Sequence, residues 1–124
     1  MSNDITAQYT TLDSERVGNE LHVWLDRPHK LNATDTVMLR EIGDLFSSLE
    51  RDHSSRVIVL GGRGRSFSVG ADRSPEPDPE DPTSERGKRW QANLGRRACR
   101  SIEKCAIPTV ARVQGHAIGG GMCL

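Results

Sequence analysis

Length, composition and charge limit the kinds of protein that this chain can be. Its 124 residues suit one small domain, and 35% of them are hydrophobic, 27% charged and 4% aromatic. Seventeen basic residues balance seventeen acidic ones, so we expect no binding to nucleic acid or to anionic membranes. No stretch is apolar enough for membrane insertion and the first six residues do not resemble a secretory signal, so we expect a cytoplasmic protein.

The first half of the chain alternates apolar patterns with turn signals. Residues 1–16 are polar and predict an N-terminal extension, with a short strand near residues 9–12. Residues 20–26 alternate with period two, which predicts a half-buried strand. Asn32 or Thr34 can cap the helix that follows. Its predicted apolar face consists of Met38, Ile42, Leu45, Phe46 and Leu49.

The second half continues the alternation and predicts an α/β fold, with strands packed under helices. The β-branched run 56–60 indicates a buried strand, and residues 108–113 indicate the next one. Residues 74–82 alternate prolines with four acidic residues, which predicts a mobile exposed loop. A helix is expected over 84–104, where seven basic residues against two acidic ones favour a solvated face over a phosphate or nucleic-acid site. The residues at four-residue spacing on that helix are Trp90, Leu94, Ala98 and Ile102.

Two glycine-bearing segments, residues 66–72 and 115–121, carry most of the chemical information. Glycine lets the backbone approach a ligand closely, and two such turns brought together in space can aim a pair of N–H groups at one developing oxyanion. His116, inside the second segment, is the histidine most suggestive of a ligand contact. A dinucleotide-binding loop is not expected at residues 62–67, because Phe67 stands where a third glycine is needed. We expect no metal site either, since the cysteines lack metal-ligand spacing: Cys99, Cys105 and Cys123.

Four segments in the same order resemble the enoyl-CoA hydratase/isomerase (crotonase) superfamily, over about residues 17–124. They are Leu25-Asp26-Arg27-Pro28 with Leu31-Asn32-Ala33; Val57-Ile58-Val59-Leu60-Gly61-Gly62; Phe67-Ser68-Val69-Gly70-Ala71-Asp72; and Ile107-Pro108-Thr109-Val110-Ala111-Arg112-Val113-Gln114-Gly115-His116-Ala117-Ile118-Gly119-Gly120-Gly121. The resemblance implies a crotonase-like spiral of strand–strand–helix repeats. Members are roughly twice as long and assemble as homotrimers or hexamers through a C-terminal helical region. The chain is therefore expected to be the N-terminal part of such a domain, truncated at the second glycine segment.

The chemistry implied by the resemblance is stabilisation of the enolate of an acyl-CoA thioester. The oxyanion-hole donors would be the backbone N–H groups of Ala71 and Gly120. Coenzyme A would enter as part of the substrate, and no other cofactor is expected. The substrate-binding positions implied in the same way are Lys30, Leu31, Ala33, Val69, Gly70, Ala71, Asp72, Arg73, Ser74 and Gly120.

One position departs from the family pattern. Typical hydratases carry a glutamate where this chain has Cys123, and a thiol does not replace a water-orienting carboxylate at neutral pH without special help. The sequence therefore predicts a lyase or isomerase of this family without deciding the reaction. Two alternatives remain open: a non-catalytic acyl-CoA-binding or assembly protein, and an inactive truncated fragment.

Overall fold

The computed structural model describes residues 5–72, 85–119, 121 and 124, which form a four-stranded sheet and two long helices. The strands are β1 (Leu12–Val17), β2 (Glu20–Leu25), β3 (Val57–Gly62) and β4 (Thr109–Ala111), and the helices are α1 (Thr36–Ser48) and α2 (Glu85–Lys104). The sheet order is β1-β2-β3-β4. β1 and β2 are antiparallel, whereas β2, β3 and β4 are parallel to one another. None of the described helices is long and apolar enough to cross a membrane.

β1 lies later in the chain than the sequence predicted. The strand expected near residues 9–12 is wrong: residues 5–8 form a turn, and β1 begins at Leu12. The expected end of the polar extension, after residue 16, falls inside this strand. Leu12 is the buried apolar residue of β1, so the strand has no alternating hydrophobic pattern. Backbone hydrogen bonds to β2 define it instead.

β2 and α1 form as predicted, except for the helix cap. Leu21, Val23 and Leu25 are fully buried, in alternation with more exposed residues. The predicted caps Asn32 and Thr34 are wrong, because α1 is capped by Asp35, whose carboxylate accepts the Met38 N–H at 2.8 Å. The predicted apolar face of α1 is confirmed, since all its members are buried: Met38, Ile42, Leu45, Phe46 and Leu49.

β3 and α2 lie close to their predicted positions, and β4 is shorter than expected. α2 buries Leu94 and Ala98, while Ile102 packs at the margin of the core and Trp90 is half-buried. The two helices pack against each other, and the core lies beneath them against one face of the sheet. The proline-rich segment 74–82 lies outside the described residues.

Candidate functional site

The two glycine-bearing segments, distant in sequence, lie side by side. The Phe67 N–H donates to the Gln114 carbonyl at 2.8 Å, and the Ser68 N–H donates to the His116 carbonyl at 3.1 Å. The Ile118 N–H donates back to the Ser68 carbonyl at 3.1 Å, which completes a short parallel bridge. The structure therefore brings together the two turns that the sequence singled out.

On its other side, segment 66–72 pairs with the residues that follow β2. The Val69 N–H donates to the Leu31 carbonyl at 3.2 Å, and the Thr34 N–H donates to the Gly70 carbonyl at 2.8 Å. The Asp72 N–H then donates to the Thr34 carbonyl at 2.9 Å. Segment 66–72 is thus held between residues 31–34 and residues 114–118, so its backbone is positioned from both sides.

The backbone N–H of Ala71 points away from the strand that holds it. In the parallel bridge between Thr34 and Ala71, Thr34 uses both its N–H and its carbonyl, to Gly70 and Asp72, so those of Ala71 face the opposite side. That side is the one on which Ser68 pairs with segment 116–118. Gly70 has a φ of +91°, which resets the alternation of the strand just before Ala71. Ala71 is exposed, and within the described residues its N–H makes no hydrogen bond.

Gly121 shows how closely the second segment approaches the first. A Cβ placed on Gly121 overlaps the Ser68 carbonyl oxygen and lies 2.8 Å from the Ser68 Cβ, so only glycine fits there. The Gly121 N–H donates to the Ile118 carbonyl at 2.9 Å and closes a tight turn. Four predicted site residues lie outside the described part of the chain: Arg73, Ser74, Gly120 and Cys123.

Arg27 joins the two sides of the site through a buried ion-pair cluster. Its Nη2 lies 3.0 Å from Asp72 Oδ2, its Nε lies 3.5 Å from Asp35 Oδ2, and its Nη1 donates to the Ala33 carbonyl. The exposed fractions of the three side chains are 13% for Arg27, 7% for Asp72 and 15% for Asp35. One guanidinium therefore fixes the residue next to Ala71 against the segment that leads into α1. Sequence reasoning assigned no role to Arg27, although it noted the Asp26-Arg27-Pro28 motif.

Asn32 fastens the turn that carries the predicted substrate-binding residues. Leu31 and Asn32 both adopt the left-handed conformation, with φ of 53° and 55°. The Asn32 amide is fully buried, and it donates to the carbonyls of Arg63 and Ser66 at 2.9 Å each. Its oxygen accepts the Arg27 N–H at 2.7 Å. These hydrogen bonds offset the conformational strain of the two left-handed residues. Lys30, just before them, is exposed at the surface.

Two of the residues that the sequence singled out, Leu31 and His116, line a small cleft. Its volume is about 150 Å³, and its walls are Leu31, Arg65, Ser66, Gly115 and His116. His116 is exposed there. Ala33 is buried and Val69 is half-buried. Among the described residues, no group of three or more His, Cys, Asp and Glu side chains is placed to hold a metal ion.

The sequence model of the enoyl-CoA hydratase/isomerase family matches residues 17–124. The chain belongs to this family. A solved structure of an enoyl-CoA hydratase/carnithine racemase from Magnetospirillum magneticum superposes with a TM-score of 0.80 at 30% identity, covering 91% of this chain and 42% of that one. The expected crotonase-like fold is therefore confirmed, and the described residues correspond to the N-terminal portion of the family fold.

Two family relatives show the same partial coverage. The mitochondrial Delta(3,5)-Delta(2,4)-dienoyl-CoA isomerase of Pongo abelii is 35% identical over 111 residues, which cover 84% of this chain and 34% of that protein. The short-chain-enoyl-CoA hydratase of Clostridium acetobutylicum is 32% identical over 108 residues, which cover 86% of this chain and 40% of that protein. The chain thus spans well under half the length of relatives whose names describe two different reactions of CoA thioesters.

Proposed function

We propose that the protein carrying this chain binds an acyl-CoA thioester and stabilises the enolate formed from it. The proposed oxyanion hole consists of the backbone N–H groups of Ala71 and Gly120. The family membership and the CoA thioesters in the names of its relatives support the substrate class. The proposal calls for no metal and no redox cofactor, because two backbone donors supply the positive charge that an enolate oxygen needs.

The observation that carries the proposal is the orientation of Ala71. Its N–H faces away from Thr34 toward the second glycine segment, and hydrogen bonds on both sides of segment 66–72 hold the backbone in place. A donor that is fixed before the reaction needs no reorganisation when negative charge develops. Each such donor typically lowers the barrier by about 3 kcal/mol.

The proposed substrate lies along the segment that Arg27 and Asn32 fasten. The thioester would lie at Ala71, with Val69, Gly70 and Asp72 beside it, and the nucleotide of coenzyme A near Lys30 and Leu31. Arg73 and Ser74 continue the same stretch of sequence, and Ala33 lies in the neighbouring segment that pairs with it. Family resemblance further suggests a homotrimer or hexamer.

The reaction beyond enolate stabilisation is proposed only as isomerase or lyase chemistry. Relatives of both reaction types match this chain, and the carbanion next to a thioester carbonyl is an intermediate that either type of reaction can use. Cys123 occupies the position of the usual hydratase glutamate. We therefore favour a reaction that does not rely on a carboxylate at this position.

A test of the oxyanion hole measures the carbonyl of a bound thioester directly. Hydrogen bonding to a carbonyl oxygen moves the ¹³C resonance of its carbon downfield, so acyl-CoA labelled at C1 should show a downfield shift when the protein binds it. Ala71→Pro removes the donor, and it costs no hydrogen bond within the described residues because the Ala71 N–H makes none there. The matched control is Ala71→Ser, which keeps the N–H.

The expected result is a clear downfield shift for the native protein and for Ala71→Ser, and a much smaller one for Ala71→Pro at saturating ligand. Equal shifts in all three proteins would show that the Ala71 N–H is not a donor. Exchange of the acyl α-protons in deuterated water then separates enzyme from binder. Exchange supports the enzyme, whereas a carbonyl shift without exchange supports the non-catalytic acyl-CoA-binding alternative.

A further inference from the structure

A second cleft lies between the two helices, away from the glycine segments. Its volume is about 440 Å³, within the range of small-molecule sites. The end of α1 contributes Ser47 and the segment after it contributes Glu50, and the second half of α2 contributes the other wall. The α2 residues that line it are Asn93, Arg96, Arg97, Arg100, Ser101 and Lys104.

The cleft concentrates positive charge in a chain whose net charge is zero. Arg96, Arg100 and Lys104 recur every four residues and so lie along one face of α2, where like charges repel one another. All three are exposed, and none has an ion-pair partner among the described residues. The C-terminus of α2 offsets part of this repulsion at Lys104, the basic residue of its last turn, because partial negative charge at a helix C-terminus favours cations.

The described residues that line the cleft carry an excess of two positive charges once neighbouring carboxylates are counted. Arg97 is already neutralised by Asp44, whose Oδ1 lies 2.8 Å from Arg97 Nη2. Glu50 lines the cleft, and among the described residues it lies within ion-pair distance of no cation. Counted over the described residues alone, three cations without an ion-pair partner beside one carboxylate match the charge of a phosphomonoester dianion.

We infer that the cleft between α1 and α2 binds the phosphate group of a small phosphorylated molecule, with Arg96, Arg100 and Lys104 as its cationic ligands. The guanidinium fork of arginine pairs with two phosphate oxygens at once, which makes two arginines one helical turn apart suitable for a tetrahedral anion. Asn93, which is exposed on the same wall, offers a neutral donor beside them. This inference does not depend on the acyl-CoA proposal.

Isothermal titration calorimetry tests the inference with glycerol 3-phosphate and with inorganic phosphate, and glycerol serves as the uncharged probe. The expected result is saturable binding of glycerol 3-phosphate with a dissociation constant on the order of 1 mM. Tighter binding of inorganic phosphate than of glycerol 3-phosphate would identify the free ion as the ligand, and the reverse order would identify an organic phosphate. Heat that does not saturate with either phosphate, or that glycerol reproduces, would overturn the inference.

Two double variants of equal charge separate a site from general attraction. Arg96→Gln/Arg100→Gln removes two proposed ligands, whereas Arg89→Gln/Arg112→Gln removes two exposed arginines outside the cleft. Loss of charge-assisted contacts should weaken binding by about tenfold or more in the first variant. The second variant should stay within about twofold of the native protein, as screening of distant exposed charges predicts. Equal weakening in both variants would overturn the assignment of the cleft.

Discussion

Replacement of Arg27 by methionine tests whether the buried ion-pair cluster holds the proposed oxyanion segment. Methionine keeps the apolar stem and removes the charge, so two carboxylates that are 7% and 15% exposed lose their cation. Breaking a buried ion pair on one side typically costs about 3–5 kcal/mol. Asp35 keeps its hydrogen bond from the Met38 N–H, which offsets part of its loss. We therefore expect the lower end of this range, about 3 kcal/mol of the free energy of unfolding.

Urea unfolding of Arg27→Met, measured beside Arg97→Met, gives the comparison. Arg97 pairs with Asp44 at 2.8 Å, but both side chains are about half exposed, at 53% and 46%, so its loss should cost about 1 kcal/mol or less. Equal losses of unfolding free energy in the two variants would show that the buried ion pairs of Arg27 stabilise the protein no more than an exposed pair does. If Arg27→Met does not fold, Arg27→Lys keeps the charge without the guanidinium fork and should show a smaller loss in the same direction. Arg27→Lys should also reduce the carbonyl shift of bound acyl-CoA if Asp72 positions Ala71.

Two further predictions concern a carboxyl and a glycine. Burial raises the pKa of Asp52, but hydrogen bonds from Ser55, Ser54 and Arg16 outweigh it and hold this pKa well below its ordinary value. The native protein should therefore have a higher free energy of unfolding than Asp52→Asn, and this difference should be complete above about pH 5 and shrink as pH falls below about 4. A difference that does not change when unfolding is measured across this range would contradict the assignment. Gly115 has a φ of +62°, and a Cβ there overlaps the Arg65 carbonyl, whereas a Cβ added to Gly119, at φ of +55°, would have nothing within 4 Å. Gly115→Ala should thus lower the free energy of unfolding by about 1–3 kcal/mol more than Gly119→Ala, and equal losses by thermal unfolding would refute a close approach at Gly115.

Interactions within one element were predictable from the sequence. The apolar spacing in α1 and the alternation in β2 show which face of each element is buried, because helical and extended backbones repeat with fixed periods. The family motifs likewise identify the two glycine segments. β1 escaped prediction because its only deeply buried apolar side chain is Leu12, so the periodic signal is too weak to detect.

Interactions between distant parts of the chain were decided by tertiary structure. Asparagine is a favoured helix-capping residue. The Asn32 side chain instead donates hydrogen bonds to the carbonyls of Arg63 and Ser66, which lie more than thirty residues away. Glu41 is similar: it lies in the middle of α1, yet its carboxylate is buried and accepts the backbone N–H groups of Thr10 and Thr11.

The sequence by itself determined the helices α1 and α2, the strands β2, β3 and β4, and which turns carry the candidate chemistry. Tertiary structure alone decided that the Ala71 N–H points away from Thr34, on the side where Ser68 pairs with residues 116–118. It also decided that Arg27 reaches Asp72, 45 residues further along the chain. The physical reason is that periodicity is a property of neighbouring residues, whereas the direction of one N–H depends on which strands lie on either side of it.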